Sequence, residues 1–279
     1  MQQTFNRSKS VFRYAFLIVF SLMMVFPLIW MILSSLKTTE EIFAVPITLF
    51  PETLQWGNFS GALEMAPFWL YMFNSAFTSI CIVILQVVLS SMIAYALTQL
   101  KFKGKSLLFN SILITYMLPA AATYVPSYIL LSKMGLLDSL TGIVVSNVAS
   151  VFTIFLLRQA FMQVPKEMIE AARSEGANDF AVLTKVMIPM CKSTIFIAGL
   201  IGFVSMYNNY LWPSLIVKSE DKYLITVGLN RFFTNVGSFA DTWPFIMAAN
   251  VLTVVPLLLL FVLLNKWFIK GISDSGLKG

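Results

Sequence analysis

Residues Val164–Pro189 read VPKEMIEAARSEGANDFAVLTKVMIP, a charged stretch set between two strongly apolar blocks. Pro165 suits the first position of a helix, where its missing N–H costs nothing. Glu167 in the first turn and Arg173 near the other end both suit the helix dipole. Gly176 offers the left-handed backbone that ends a helix. Asn178 can cap a second helix, and Pro189 is expected to stop it. The segment therefore reads as helix, tight turn, helix. The first helix, of ~10 residues or about 15 Å, is too short to stand alone in water. Met168, Ile169 and Ala172 fall on one side of it as a small apolar patch. The residues alone leave two readings open: a lever that docks on another protein, or a surface helix on lipid headgroups with Glu170 paired to Arg173.

Outward from that segment the chain is lipid-soluble. Of 279 residues 58% are hydrophobic and 11% are charged, against about 25% charged in a soluble domain. Charge-free windows lie at 14–36, 65–100, 106–132, 139–157, 193–217 and 242–265. Each can supply the roughly 20 apolar residues of a spanning helix, in which a central Lys, Arg or Asp costs about 2.5–3.5 kcal/mol. We expect an all-α polytopic membrane protein, one transmembrane domain over 1–279. Six spans are expected near 13–35, 70–99, 107–131, 140–160, 191–216 and 243–266, with the polar loop at 164–189. The first run is longer than a secretory h-region and lacks a small-residue cleavage site, so it is expected to be retained. Pro119, Pro126 and Pro256 imply kinks.

With the N-terminus inside, fourteen of the nineteen Lys and Arg fall on inner segments, which places both termini and the 164–189 loop in the cytoplasm. The outer loop 37–66 carries Trp56 and Trp69 close by, as expected of an ordered interfacial loop. The outer loop 218–241 carries Tyr223, Phe232, Phe233 and Phe239, which suit either a protein partner or interfacial anchoring.

The basic residues are scattered in short clusters, the pattern of membrane topology and not of a nucleic-acid face. The chain has no histidine and only two cysteines, Cys81 and Cys191, so no metal site or disulfide framework is expected. Gly104-Lys105-Ser106 is Walker-like, but Gln99 stands where the loop needs glycine. Lys101, Lys103 and Lys105 are read as a positive-inside clamp. No span window carries Asp or Glu, which disfavours an ion-coupled carrier, and no nucleophile–base pair suggests an enzyme. Asn74, Gln86, Asn110, Tyr116, Asn147, Asn250 and the cluster Tyr207, Asn208 and Asn209 could line a solute path or hold helices together. The lack of cations at membrane depth leans toward a neutral solute.

Glu170-Ala171-Ala172, three residues, Gly176, a spacer and Ile188-Pro189 resemble the EAA loop of binding-protein-dependent ABC importers. Phe155-Leu156-Leu157-Arg158-Gln159 with Val164-Pro165 resembles the helix entering that loop. Asn208-Asn209-Tyr210-Leu211-Trp212-Pro213 is similar to a motif in the next span. Gly271–Gly279 resembles the tail of the smaller permease subunit of maltose-type (carbohydrate) transporters. Departures are Glu175 for Asp, Ile188 for Leu, Tyr207 for Trp and Ser193 for Pro. The resemblance implies an ABC importer permease fold with a cytoplasmic coupling helix, a heterodimer with a sister permease, and two ATPase subunits that bind ATP and Mg while this chain binds no cofactor. It further implies an extracytoplasmic solute-binding protein, with sugar or oligosaccharide as the solute; the alternatives are another polar solute such as a glycerol-phosphate compound, or an ion-coupled secondary carrier. The implied ATPase-coupling residues are Met168, Ile169, Glu170, Ala171, Ala172, Gly176 and Pro189. Gly276, Lys278 and Gly279 would be tail contacts.

Overall fold

The apolar windows fold as helices, and where they break decides where polar groups gather. In a computed structural model, residues 2–235 and 242–276 are described, with side chains for 13–234 and 242–263. In chain order the helices are α1 (Gln2–Ser34), α2 (Thr39–Ile42), α3 (Gly57–Met65), α4 (Phe68–Gln99), α5 (Lys105–Tyr116), α6 (Ala120–Lys133), α7 (Leu140–Ser146), α8 (Val151–Met162), α9 (Lys166–Ser174), α10 (Asp179–Val182), α11 (Ile188–Met190), α12 (Lys192–Tyr207), α13 (Leu211–Ile216), α14 (Ile225–Asn235) and α15 (Trp243–Gly276). A π-helical turn, Leu183–Met187, joins α10 to α11. No strand occurs among the described residues.

Three stretches, Arg13–Ser34, Phe68–Gln99 and Trp243–Leu263, are long and apolar enough to cross a membrane unbroken. Three helix pairs pass the same test but are sharply bent: α5 with α6 by 100°, α7 with α8 by 46°, and Asp179–Met190 with α12 by 81°. Hydropathy reports apolarity and not backbone continuity, so the windows alone do not show these breaks, but the first falls at Pro119, where a kink is expected. Pro119 explains the first: lacking an N–H it cannot extend α5, and it stands as the N-cap of α6. Pro126 and Pro256, by contrast, sit inside α6 and α15. At the second break Asn147 closes α7 through its side-chain amide to the Ile143 carbonyl (2.8 Å). Ser150 then opens α8 by accepting from the Thr153 N–H (3.2 Å). The run expected near 191–216 is likewise discontinuous, since α12 ends at Tyr207 and the chain restarts at Leu211.

The chain forms two compact units, Met1–Phe68 with Leu229–Pro256, and Trp69–Gly228 with Leu257–Gly279. In the first, the 35–67 loop is ordered by polar ties. Lys37 is 1% exposed, its ammonium 5.2 Å from the Trp30 ring centre and donating to the Thr48 carbonyl. The Asn58 amide bonds the carbonyls of Ser35 and Lys37, both at 2.9 Å. Trp56 stays exposed. Phe232, one of the aromatic residues expected to face outward, is instead buried edge-on against Phe68, 5.2 Å between ring centres. Phe233 is exposed, and Phe239 lies outside the described residues.

The second unit is built along α4, whose 32 residues span about 48 Å. Near its start Asn74 donates to the carbonyls of Asp221 (2.9 Å) and Tyr223 (3.1 Å), and Ser75 accepts from the Ile225 N–H (2.7 Å). Tyr71 donates to Glu220 (2.8 Å). Gly228 allows this approach, since a Cβ there would meet the Tyr71 ring at 2.2 Å. Further along, Gln86 donates to the Asn147 carbonyl (2.7 Å). At the far end Ala94 and Tyr95 enter an apolar cluster with Leu157, Phe161, Ile169, Val182, Leu183 and Met187.

Candidate functional site: the Lys166–Met190 loop and its seat

The loop is seated by apolar side chains drawn from both of its halves. Ile169 is 5% exposed, and Val182 and Met187 are completely buried against Leu157 and Phe161 of α8. Burying an Ile or Leu side chain contributes about 1.5–3 kcal/mol, so these residues hold α9 down without help from a partner. This divides the patch expected from the sequence. Ile169 and partly buried Ala172 face the chain's own core and are committed there, whereas Met168 is 51% exposed. Glu170 and Ala171 are exposed as well, and Phe180, absent from the expected set, is 69% exposed.

The turn is a complete Schellman motif. The Gly176 N–H donates to the Arg173 carbonyl and the Ala177 N–H to the Ala172 carbonyl, both at 3.0 Å. Gly176 has φ +87°, and nothing lies within 4 Å of where its Cβ would be. Its requirement for glycine is therefore conformational and not steric. Asn178 caps α10, its side chain accepting from the Ala181 N–H at 2.8 Å. Between the two halves a cleft of about 460 Å³ opens, lined by Ala172, Glu175, Gly176, Ala177, Asn178, Ala181, Lys185 and Val186.

Two expectations change at this site. Pro165 is the N-cap and not the first helical residue. Pro189 does not stop the second helix, which continues to Met190 before bending at Cys191. The π turn at Leu183–Met187 just ahead of it relaxes the i to i−4 register in which a proline ring would clash. Glu170 has no hydrogen bond or ion pair among the described residues, so it is not the partner of Arg173. Arg173 instead donates to Asp179 at 2.6 Å, and the Tyr95 hydroxyl donates to the same carboxylate oxygen at 2.7 Å. Arg173 also reaches the Tyr95 oxygen at 3.3 Å. Sequence reasoning missed this tie between the loop and α4. Tyr95 lies inside an apolar window, and nothing in its local pattern signals a partner more than eighty residues away.

The remaining sites are separate from the loop. Tyr207 is 2% exposed with its hydroxyl unpartnered, while Asn208 bonds its own helix through the Val204 carbonyl (2.9 Å). The Asn209 carbonyl accepts from Thr226 at 2.8 Å. All three stand at the break between α12 and α13. Asn74 and Gln86 spend their amides on carbonyls of distant segments, as expected of residues that hold helices together, whereas Asn147 and Asn250 bond the Ile143 and Ile246 carbonyls of their own helices. Gly276 is the last residue of α15, whereas Lys278 and Gly279 lie outside the described residues. No His/Cys/Asp/Glu cluster able to hold a metal occurs among the described residues.

Comparison with known proteins agrees along nearly the whole chain. The arabinooligosaccharides transport system permease protein AraQ of Halalkalibacterium halodurans is 31% identical over 91% of each chain. The sn-glycerol-3-phosphate transport system permease protein UgpE of Pectobacterium atrosepticum is 32% identical over 97% of this chain and 98% of its own. In fold, the chain matches a chain of a bacterial ABC transporter involved in the import of the acidic polysaccharide alginate with a TM-score of 0.86. That match has 24% identity and covers 94% of this chain and 97% of the other. The family model for binding-protein-dependent transport system inner membrane components matches residues 86–274, across the seated loop and both helices that flank it, and the chain belongs to that family.

Proposed function

We propose that this chain is one of two permease subunits in an ATP-driven importer of a sugar or oligosaccharide, with the Lys166–Met190 loop as its contact to the ATPase. The chain would lie multi-pass in the inner membrane through six spans, with both termini and the loop in the cytoplasm. Two ATPase subunits would bind ATP and Mg, a sister permease would complete the path, and an extracytoplasmic binding protein would deliver solute. The observation that carries the reading is the division of α9: one face is locked into the chain's core while Glu170, Met168 and Ala171 are left exposed, as is Phe180 of α10. A short helix held from behind can transmit force. α4 is the element to receive it, joined to the loop at Tyr95 and to the 220–225 segment at Tyr71, Asn74 and Ser75. Rigid-body rocking of these helices would alternate access, with Tyr207, Asn208 and Asn209 on the path and Gly276, Lys278 and Gly279 reaching toward the ATPases.

The sugar assignment rests on the arabinooligosaccharide relative; a glycerol-phosphate solute is the second reading, favoured by the UgpE similarity. The complex purified in mild detergent should weigh as one copy of this chain, one related permease and two nucleotide-binding subunits. Uptake of labelled arabinooligosaccharide and of glycerol 3-phosphate by cells carrying or lacking the chain separates the two solutes. Transport by this polypeptide alone, without an ATPase, would overturn the reading.

A further inference from the structure

We propose that the hollow between α5 and α8 is a binding site for the phosphate of an anionic membrane lipid. It is a cavity of about 360 Å³ lined by Leu97, Lys105, Ser106, Phe109, Asn110 and Arg158, with no carboxylate on its wall. It contains the Lys105-Ser106 pair that follows Gly104, a sequence with no role in the coupling loop. Arg158 lies over Phe109, its guanidinium carbon 4.0 Å from the ring centre. None of its N–H donors has a hydrogen-bond acceptor among the described residues, and its Nε is shut off from solvent. The side chains of Ser106 and Asn110 are also without partners among the described residues. Lys105 gives two of its three donors to the carbonyls of Thr98 and Leu100, both at 3.1 Å, which pins the ammonium and leaves one donor over.

The Arg158 Nε is a buried donor left unmade, which is expensive, and the Lys105 ammonium with the exposed Ser106 hydroxyl and Asn110 amide lines the same cavity. Their common acceptor is a compact oxyanion with several oxygens. The planar guanidinium takes two of them side by side and the ammonium acts as a point charge. Gly104 has φ +84° and opens α5, so the first-turn N–H groups of a twelve-residue helix add to the same field. The surroundings point to a lipid as the carrier of that phosphate. Leu107 is 72% exposed, Leu108 49% and Phe102 42%, beside exposed Lys101 and Lys103. Basic pockets with an apolar border at the end of a spanning helix are where headgroups and acyl chains sit together. The inference is independent of which solute is carried and of the ATPase contact.

The test is native mass spectrometry of the assembled transporter released from nanodiscs of phosphatidylglycerol mixed with phosphatidylcholine. Wild type should retain phosphatidylglycerol in preference to phosphatidylcholine. Arg158→Gln and Lys105→Gln should each cut that retention by about fivefold, as for the loss of one basic contact. Lys133→Gln, at the exposed end of α6 and away from the cavity, should not change retention, and the assembly mass of each variant reports on folding. Equal retention of both lipids overturns the proposal, as does undiminished phosphatidylglycerol in both cavity variants. Occupancy by inorganic phosphate from lipid-free buffer, with no lipid preference, overturns the lipid as the source. Carbodiimide cross-linking of the Lys105 amine to a carboxylate of a partner subunit overturns the site itself.

Discussion

The two ends of α4 both rest on apolar clusters but differ in how many directional bonds fasten the loop beside them. At the Tyr95 end the loop rests on buried aliphatic and aromatic side chains, with one polar tie whose ion pair is half exposed, 46% for Arg173 and 52% for Asp179. Exposed pairs of this kind contribute little. At the Tyr71 end an apolar cluster, Ile82 of α4 with Val217, Leu224 and Val227, is joined by a dense set of directional bonds. Asp138 accepts from the N–H groups of Lys218 (2.8 Å) and Ser219 (2.9 Å) and from the Ser219 hydroxyl (2.5 Å), and pairs with Lys222 at 3.1 Å. The next residues, Glu220 to Ile225, bond Tyr71, Asn74 and Ser75. An apolar seat is non-directional and permits pivoting, whereas a fan of hydrogen bonds fixes one geometry. The difference assigns motion to the loop end and rigidity to the other.

The comparison can be broken most severely at the turn. Gly176→Val puts a β-branched residue at φ +87°, a strain of about 1–3 kcal/mol, and should abolish ATP-dependent uptake while leaving the protein inserted. Gly176→Asn, which tolerates that backbone, should keep most of it. Equal loss in both variants would mean that a side chain and not the backbone matters there.

Asp138→Ala comes next and should cost about 2–3 kcal/mol, since charge-assisted hydrogen bonds are the strong ones. The Ser219 hydroxyl, then the backbone N–H groups, hold the Asp138 carboxyl well below its usual range. A depressed folded value means the stabilisation is full above the unfolded value of about 3.9 and is lost as pH falls through the folded one. The thermal midpoint of the wild type should therefore be insensitive to this group from neutral pH down to about pH 5 and fall below about pH 4. The variant should lack that part of the acid loss.

Tyr95→Phe is the smallest change, removing one hydroxyl worth about 1 kcal/mol. It should leave the assembly intact and lower the ratio of solute imported to ATP hydrolysed by less than about tenfold. An unchanged ratio would show that the apolar seat alone carries the force.

How far the sequence reveals this arrangement depends on the range of the interaction. The Pro165, Gly176 and Asn178 signals are local, and the turn forms as their backbone preferences dictate. The side of α9 facing inward is not local: Met168 and Ile169 are adjacent and equally apolar, and only the position of α8 distinguishes them. The same holds for Asn74 and Gln86, whose partners lie 147 and 61 residues away. Gly104-Lys105-Ser106 fails as a Walker string at Gln99, and nothing in its local pattern announces Arg158 on the same cavity wall.

The most direct test is Glu170→Lys in the assembled transporter in proteoliposomes, with solute uptake and ATP hydrolysis measured in the same vesicles. Reversing Glu170, an exposed and unpaired carboxylate of α9, leaves the seat untouched. Uptake should collapse, with hydrolysis either lost from the membrane or no longer dependent on solute. Normal uptake with normal stoichiometry would contradict a loop that carries the force.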